Sequence, residues 1–252
     1  MEIICPYCGR KHADNARFCM VTGRPLASAV PARRRPLPVG FHGDRAATSI
    51  DMSGYDTSAV TDMKGMFGNC DVLVSLNLRG MSTTSVATMS HMFFGCKSLR
   101  CLDISGFDTR NVVDMGAMFG HCEALMTVDV AGLNTAAVTD MGAMFWFCNS
   151  LEELDLRHFD TGKVANMDYM FCECKSLRRL DLMSFRTGRV KSMSWMFKGA
   201  TNLLSLDLSR FDTSTVSDMS WMFANCSGLE SLDLSGFDVR SVKKSQCMFL
   251  GC

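Results

Sequence analysis

Cys5, Cys8 and Cys19 are spaced C-x2-C-x10-C, a pattern that can turn thiolates onto one metal ion. Zinc completes a tetrahedron with four such ligands, usually from two C-x2-C knuckles. The second knuckle is broken here, because Thr22 stands where its other cysteine would, and threonine is a poor zinc ligand. His12 carries a usable nitrogen but should lie near the tip of the intervening hairpin. Two readings stand: zinc on Cys5, Cys8 and Cys19 with an incomplete ligand set, or a metal-free remnant. So short a segment has little core, so without metal it should be poorly ordered.

Catalytic spacing is missing elsewhere. The five histidines, His12, His42, His91, His121 and His158, share no register. There is no phosphate-cradling glycine loop, nucleophile elbow or H-E-x-x-H. The chain is therefore expected not to be an enzyme. Thirteen cysteines, an odd number, argue against a full disulfide framework. No apolar run approaches the ~20 residues of a membrane helix. The N-terminus lacks the charged and apolar regions of a secretory signal. Together these features predict a reducing, cytoplasmic setting.

The elements that must position any site come from a repeat. Met-Phe occurs at 66–67, 92–93, 118–119, 144–145, 170–171, 196–197, 222–223 and 248–249, always 26 residues apart. Columns of Val, Met, Cys and Leu keep the same period. Met63, Met66, Phe67 and Cys70 sit at i, i+3, i+4 and i+7, which predicts one face of a short helix. Asp62, Thr88, Asp114, Asp140, Asn166, Ser192 and Asp218 precede it, and all are N-cap types. Leu154-Asp155-Leu156 and its equivalents read as a short strand, leucines inward. Asp108-Thr109 and its equivalents read as a side-chain-stabilised turn. The cysteine column, Cys70 to Cys252, reads as a buried thiol ladder, because Ala200 occupies one of its places.

One such unit cannot bury its own apolar face, but stacked units can. The predicted fold is α/β: a leucine-rich-repeat-like right-handed solenoid with one short parallel strand and one short helix per 26-residue repeat. The expected divisions are a zinc-ribbon-like head at 1–26, a Pro/Arg-rich linker at 27–47 and a solenoid of about eight repeats at 48–252. Formal charge is zero, from 26 Lys+Arg against 26 Asp+Glu, yet residues 1–45 carry eight of the former and three of the latter. A basic head thus precedes an acidic body.

The unit Leu206-Asp207-Leu208-Ser209-Arg210-Phe211-Asp212-Thr213-Ser214-Thr215-Val216-Ser217-Asp218-Met219-Ser220-Trp221-Met222-Phe223 resembles the repeat of BspA-like leucine-rich-repeat bacterial surface proteins. The resemblance covers about 48–252. It implies a leucine-rich-repeat-like fold, a role in binding host or microbial partners, and a cell-surface location as the alternative to the cytoplasmic one. Cys5 to Leu26 resembles the small zinc-ribbon domains at bacterial N-termini.

Binding candidates lie where the repeat varies. The column two residues after the first Met reads Gly65, His91, Ala117, Ala143, Tyr169, Trp195, Trp221, Cys247. On a helix it would face outward. Trp146 and Phe147 also fall off the core stripe. Exposed aromatics in a row are candidate anchors. The plainer alternative is packing between neighbouring repeats. Glu153, Arg157, Arg178 and Arg179 interrupt the Ser/Asp strand face and form a second candidate patch. The expected role is an adhesin-like module for a protein or glycan. The alternative is an intracellular scaffold whose basic head contacts nucleic acid or protein.

Overall fold

The computed structural model describes residues 41–252, together with short strands at 3–4, 11–12 and 35–36. β1 (Ile3–Ile4) and β2 (Lys11–His12) pair antiparallel, with Ile3 opposite His12. Cys5, Cys8, Cys19 and Thr22 lie outside the described residues, and the zinc expectation lies there with them. The other strands are β3 (Arg35–Pro36), β4 (Ser49–Asp51), β5 (Tyr55–Asp56), β6 (Ser75–Asn77), β7 (Cys101–Leu102), β8 (Thr127–Val128), β9 (Ser205–Asp207) and β10 (Ser231–Asp233).

These strands are rungs of a repeat solenoid. β4 pairs β6, β7 pairs β8 and β9 pairs β10, all parallel. Ile50 faces Leu76, Leu102 faces Val128 and Leu206 faces Leu232. Each partner is 26 residues on, so the spatial repeat is the sequence repeat. A register slip would turn every inward leucine to water. A second parallel ladder runs through Asp62, Thr88, Asp114, Asp140, Asn166, Ser192, Asp218 and Lys244.

The predicted helix is not there: the described residues contain none. Met63 to Cys70 and its equivalents form successive tight turns instead. Met66 N–H donates to the Met63 carbonyl at 3.2 Å, and Cys70 N–H to the Phe67 carbonyl at 3.3 Å. The intervening donors leave the coil. Met63, Gly65, Phe67 and Asn69 give their N–H groups to the carbonyls of Thr88, Ser90, Met92 and Phe94. Half the donors a helix needs are thus spent on the next coil. The backbone at 65 and 69 also has positive φ, which an α-helix excludes and position i+2 of a type II turn requires. Three- and four-residue apolar spacing serves a chain of turns as well as a helix, which is why the pattern misled.

The supposed N-caps are turn closers. The Asp62 carboxylate accepts the Lys64 N–H at 2.8 Å, and Asp114 and Asp218 repeat this two-residue reach. The strand aspartates do the same, as Asp103 does with Ser105. So do Asp56, Asp108 and Asp212, with Ser58, Arg110 and Ser214. A coil is therefore bent at three corners by side-chain oxygens that mimic a backbone turn.

Inside, the phenylalanines of the Met-Phe column stack from Phe67 to Phe223 at centroid spacings of 5.4–5.9 Å. Phe41 extends the stack onto Phe67 at 5.7 Å and donates its N–H to the Met66 carbonyl, covering the first coil. At the other end Leu232, Phe237, Val242 and Met248 are only half-buried. Among the described residues, no helix is long and apolar enough to cross a membrane.

Candidate functional site

The turn-built side carries a ridge of rings. In chain order it is His91, Phe94, His121, Trp146, Phe147, Tyr169, Trp195 and Trp221, each in contact with at least one other. Phe94 joins His91 at 5.3 Å and His121 at 5.2 Å. His121 lies 4.6 Å from both Trp146 and Phe147. Trp146 meets Tyr169 at 5.8 Å. Tyr169, Trp195 and Trp221 then stack at 5.3 and 5.2 Å, with planes 21° and 24° apart. All these rings are half-exposed except His91, which is exposed. The five aromatics named from sequence thus form one surface. The rings pack on one another between coils and keep part of their surface open to solvent.

Their backbone is unusual. His91, His121, Phe147, Tyr169, Trp195 and Trp221 all have φ between 56° and 62°. That left-handed region suits Gly, Asn and Asp, and a bulky residue in it is an outlier. In other coils Gly65, Asn69, Gly95, Gly199, Asn225 and Gly251 fill the same two columns, and Ala117, Ala143, Glu173 and Cys247 hold the same φ there without a ring. Small residues also make room. A Cβ at Gly120 would come 2.9 Å from the Phe94 ring, so that glycine lets Phe94 lie across to His121.

Electrostatics favour donors. Lys198 Nζ sits 4.1 Å from the Trp195 ring centre and 5.8 Å from that of Trp221. Nearby acids are engaged: Glu173 with Lys175 at 3.3 Å, Asp218 with Lys244 at 3.2 Å, and Asp168 with the Ser192 and Ser194 hydroxyls. Burial raises the Tyr169 pKa and lowers that of His91. At the ridge's other end His42, Lys64, Gly65, Gly68, Asn69, His91 and Phe94 line an open cavity of about 550 Å³.

Sequence reasoning missed Phe94 and His121. Both stand in the columns that hold Trp146 and Phe147, on the outward face even of a helical frame. The available signal was spacing: His121 and Phe147 are 26 apart, as are Phe94, Gly120 and Trp146. The second patch lies away from the ridge. Glu153, Arg157, Arg178 and Arg179 are exposed on the strand side. Arg157 is occupied there, with Nε 2.9 Å and Nη2 2.6 Å from the Asp155 carboxylate, which it holds far below the usual range.

Among solved structures, the chain is similar to a leucine-rich repeat protein from Bacteroides ovatus ATCC 8483, with 18% identity and a TM-score of 0.38. That match covers 81% of this chain and 62% of the other, so this chain spans less than two thirds of its neighbour's length. No curated protein matches. The family described as "Mycoplasma protein of unknown function, DUF285" matches residues 40–154, 88–179 and 177–252. With its repeats covered from end to end by that family, the chain belongs to DUF285.

Proposed function

We propose that the chain is a non-catalytic binding protein, adhesin-like in role, that grips a protein partner along the aromatic ridge. One observation carries this reading: bulky rings occupy left-handed turn positions that Gly or Asn would fill at lower cost. Each such residue costs about 1–2 kcal/mol in the backbone, and such outliers gather at ligand-binding sites. Ring stacking between coils returns about 0.5–1.5 kcal/mol per pair beyond the apolar area it buries. The rings thus trade backbone strain for contact between coils while keeping part of each ring at the surface.

Ring presentation separates protein from glycan. Trp195 has Tyr169 on one face and Trp221 on the other. Sugars stack on open ring faces, whereas Trp195 has both faces taken and the Lys198 ammonium lies beside it. Such a surface suits backbone carbonyls and acidic side chains of a polypeptide. The proposal extends to zinc held by Cys5, Cys8 and Cys19 in the head and to a cytoplasmic or cell-surface setting.

The test uses Trp195→Asn with Trp221→Asn, since asparagine tolerates the same φ. Relieved backbone strain offsets part of the lost stacking and burial, so the variant should melt somewhat lower than the wild type but still in one cooperative transition. Immobilised wild type and variant are exposed to proteins of the source cells and to a glycan array. The reading expects proteins held by the wild type and released by the variant. Equal capture by both would sink it, and glycan binding lost in the variant would change the partner class.

A further inference from the structure

The strand side carries a second pattern, independent of the ridge. The residue two positions before the inward strand leucine, or its valine equivalent, reads Arg100, Met126, Glu152, Arg178, Leu204, Glu230 in six successive coils, after Thr48 and Val74 in the two coils before them; the pattern that follows is that of the six. All six are exposed, Met126 at 46% and Leu204 at 44%. Among the described residues, none of the four charged side chains makes an ion pair or hydrogen bond. Reversing the order about the midpoint between Glu152 and Arg178 pairs every residue with its complement. Arg100 meets Glu230, Met126 meets Leu204, and Glu152 meets Arg178. The next column, which includes Thr127, Glu153, Arg179 and Ser205, obeys the same reversal: Glu153 meets Arg179 and Thr127 meets Ser205.

A two-fold axis parallel to the strands, passing through that midpoint, performs this reversal. It inverts coil order while keeping each column facing itself, as an isologous contact demands. We infer that this corner of the solenoid is a self-complementary surface on which a second copy of the chain docks. At ~4.8 Å per coil the matched column is about 24 Å long. On its outer flank the preceding column is small and uncharged, as at Ser98, Ala124, Ser150, Ser176, Asn202 and Gly228. On its inner flank Asp129, Asp155, Asp181 and Asp207 would face like charges under the same axis. The contact therefore lies on the corner, with the aspartates outside it.

Charge reversal gives a specific test by light scattering of the full chain across a concentration series. The wild type should dimerise as concentration rises. Glu152→Arg alone and Arg178→Glu alone should each weaken the dimer at least about tenfold, because like charges then meet twice per dimer. Mixed in equal amounts, the two variants should dimerise again, since a copy with two arginines then faces a copy with two glutamates. Circular dichroism spectra matching that of the wild type show that both fold. A wild type that stays monomeric throughout overturns the inference, and so does a mixture no stronger than its separate parts. Trp195→Asn with Trp221→Asn should dimerise as the wild type does, so failure of the ridge reading and failure of this one are distinguishable.

Discussion

A buried threonine joins each coil to the next. Thr57, Thr83, Thr109, Thr135, Thr161, Thr187 and Thr213 are all buried. The Thr161 hydroxyl donates to the Arg186 carbonyl at 3.0 Å and accepts the Arg186 N–H at 2.7 Å. One side chain thus satisfies a donor and an acceptor that the corner would otherwise leave buried and unpaired. In the coil of β10 the column holds an exposed Val239 instead. Thr161→Val keeps the shape and removes both bonds, so it should destabilise the protein by about 1–3 kcal/mol. Thr161→Ser keeps the hydroxyl and should lose less. Equal denaturation midpoints for valine and wild type would remove the threonine from this role. The column was legible in sequence at its 26-residue period, but it read as part of a local Asp-Thr turn. A hydrogen bond to a residue 25 positions away leaves no local trace.

At the scale of the element, inside and outside were legible and the backbone was not. Met63, Met66, Phe67 and Cys70 are buried as their spacing predicts, because a chain of turns brings the same positions inward. What spacing cannot carry is the sign of φ. Ala143 separates the two backbones by the direction of one effect. Its φ is 55° and its side chain is half-buried. In a helix, Ala143→Gly would destabilise by about 1 kcal/mol. In the observed turn glycine relieves a left-handed alanine, and after the greater freedom of its unfolded chain a gain of up to about 1 kcal/mol remains. A higher denaturation midpoint for Ala143→Gly supports the turn. A lower one would restore the helix and take with it the backbone argument for the ridge.

Across the whole molecule the coils share one titration. The thiols of Cys96, Cys122, Cys148, Cys174 and Cys226 donate to carbonyls of the preceding coil, Cys122 to Phe93 at 3.1 Å. Burial pushes the thiols of Cys70, Cys96, Cys122, Cys148, Cys174 and Cys226 up, Cys122 and Cys226 to about 12. In the unfolded chain they would titrate near the ordinary 9.0. The folded protein therefore holds more protons above that pH, so their contribution is complete below pH 9 and falls as pH rises toward 12. Each thiol removes about 1.4 kcal/mol per pH unit over that window. Several acting together make the alkaline loss steep against a typical stability of about 5–15 kcal/mol. Alkaline unfolding should therefore be steep and lie near pH 10–11. Cys122→Ala with Cys148→Ala, a change for which Ala200 is the natural precedent, should weaken the fold slightly at neutral pH. The same pair should flatten the alkaline loss by about 2.8 kcal/mol per pH unit, two thiols' share. If stability falls with the same slope in wild type and double variant, other groups drive the unfolding and the thiol ladder is packing alone.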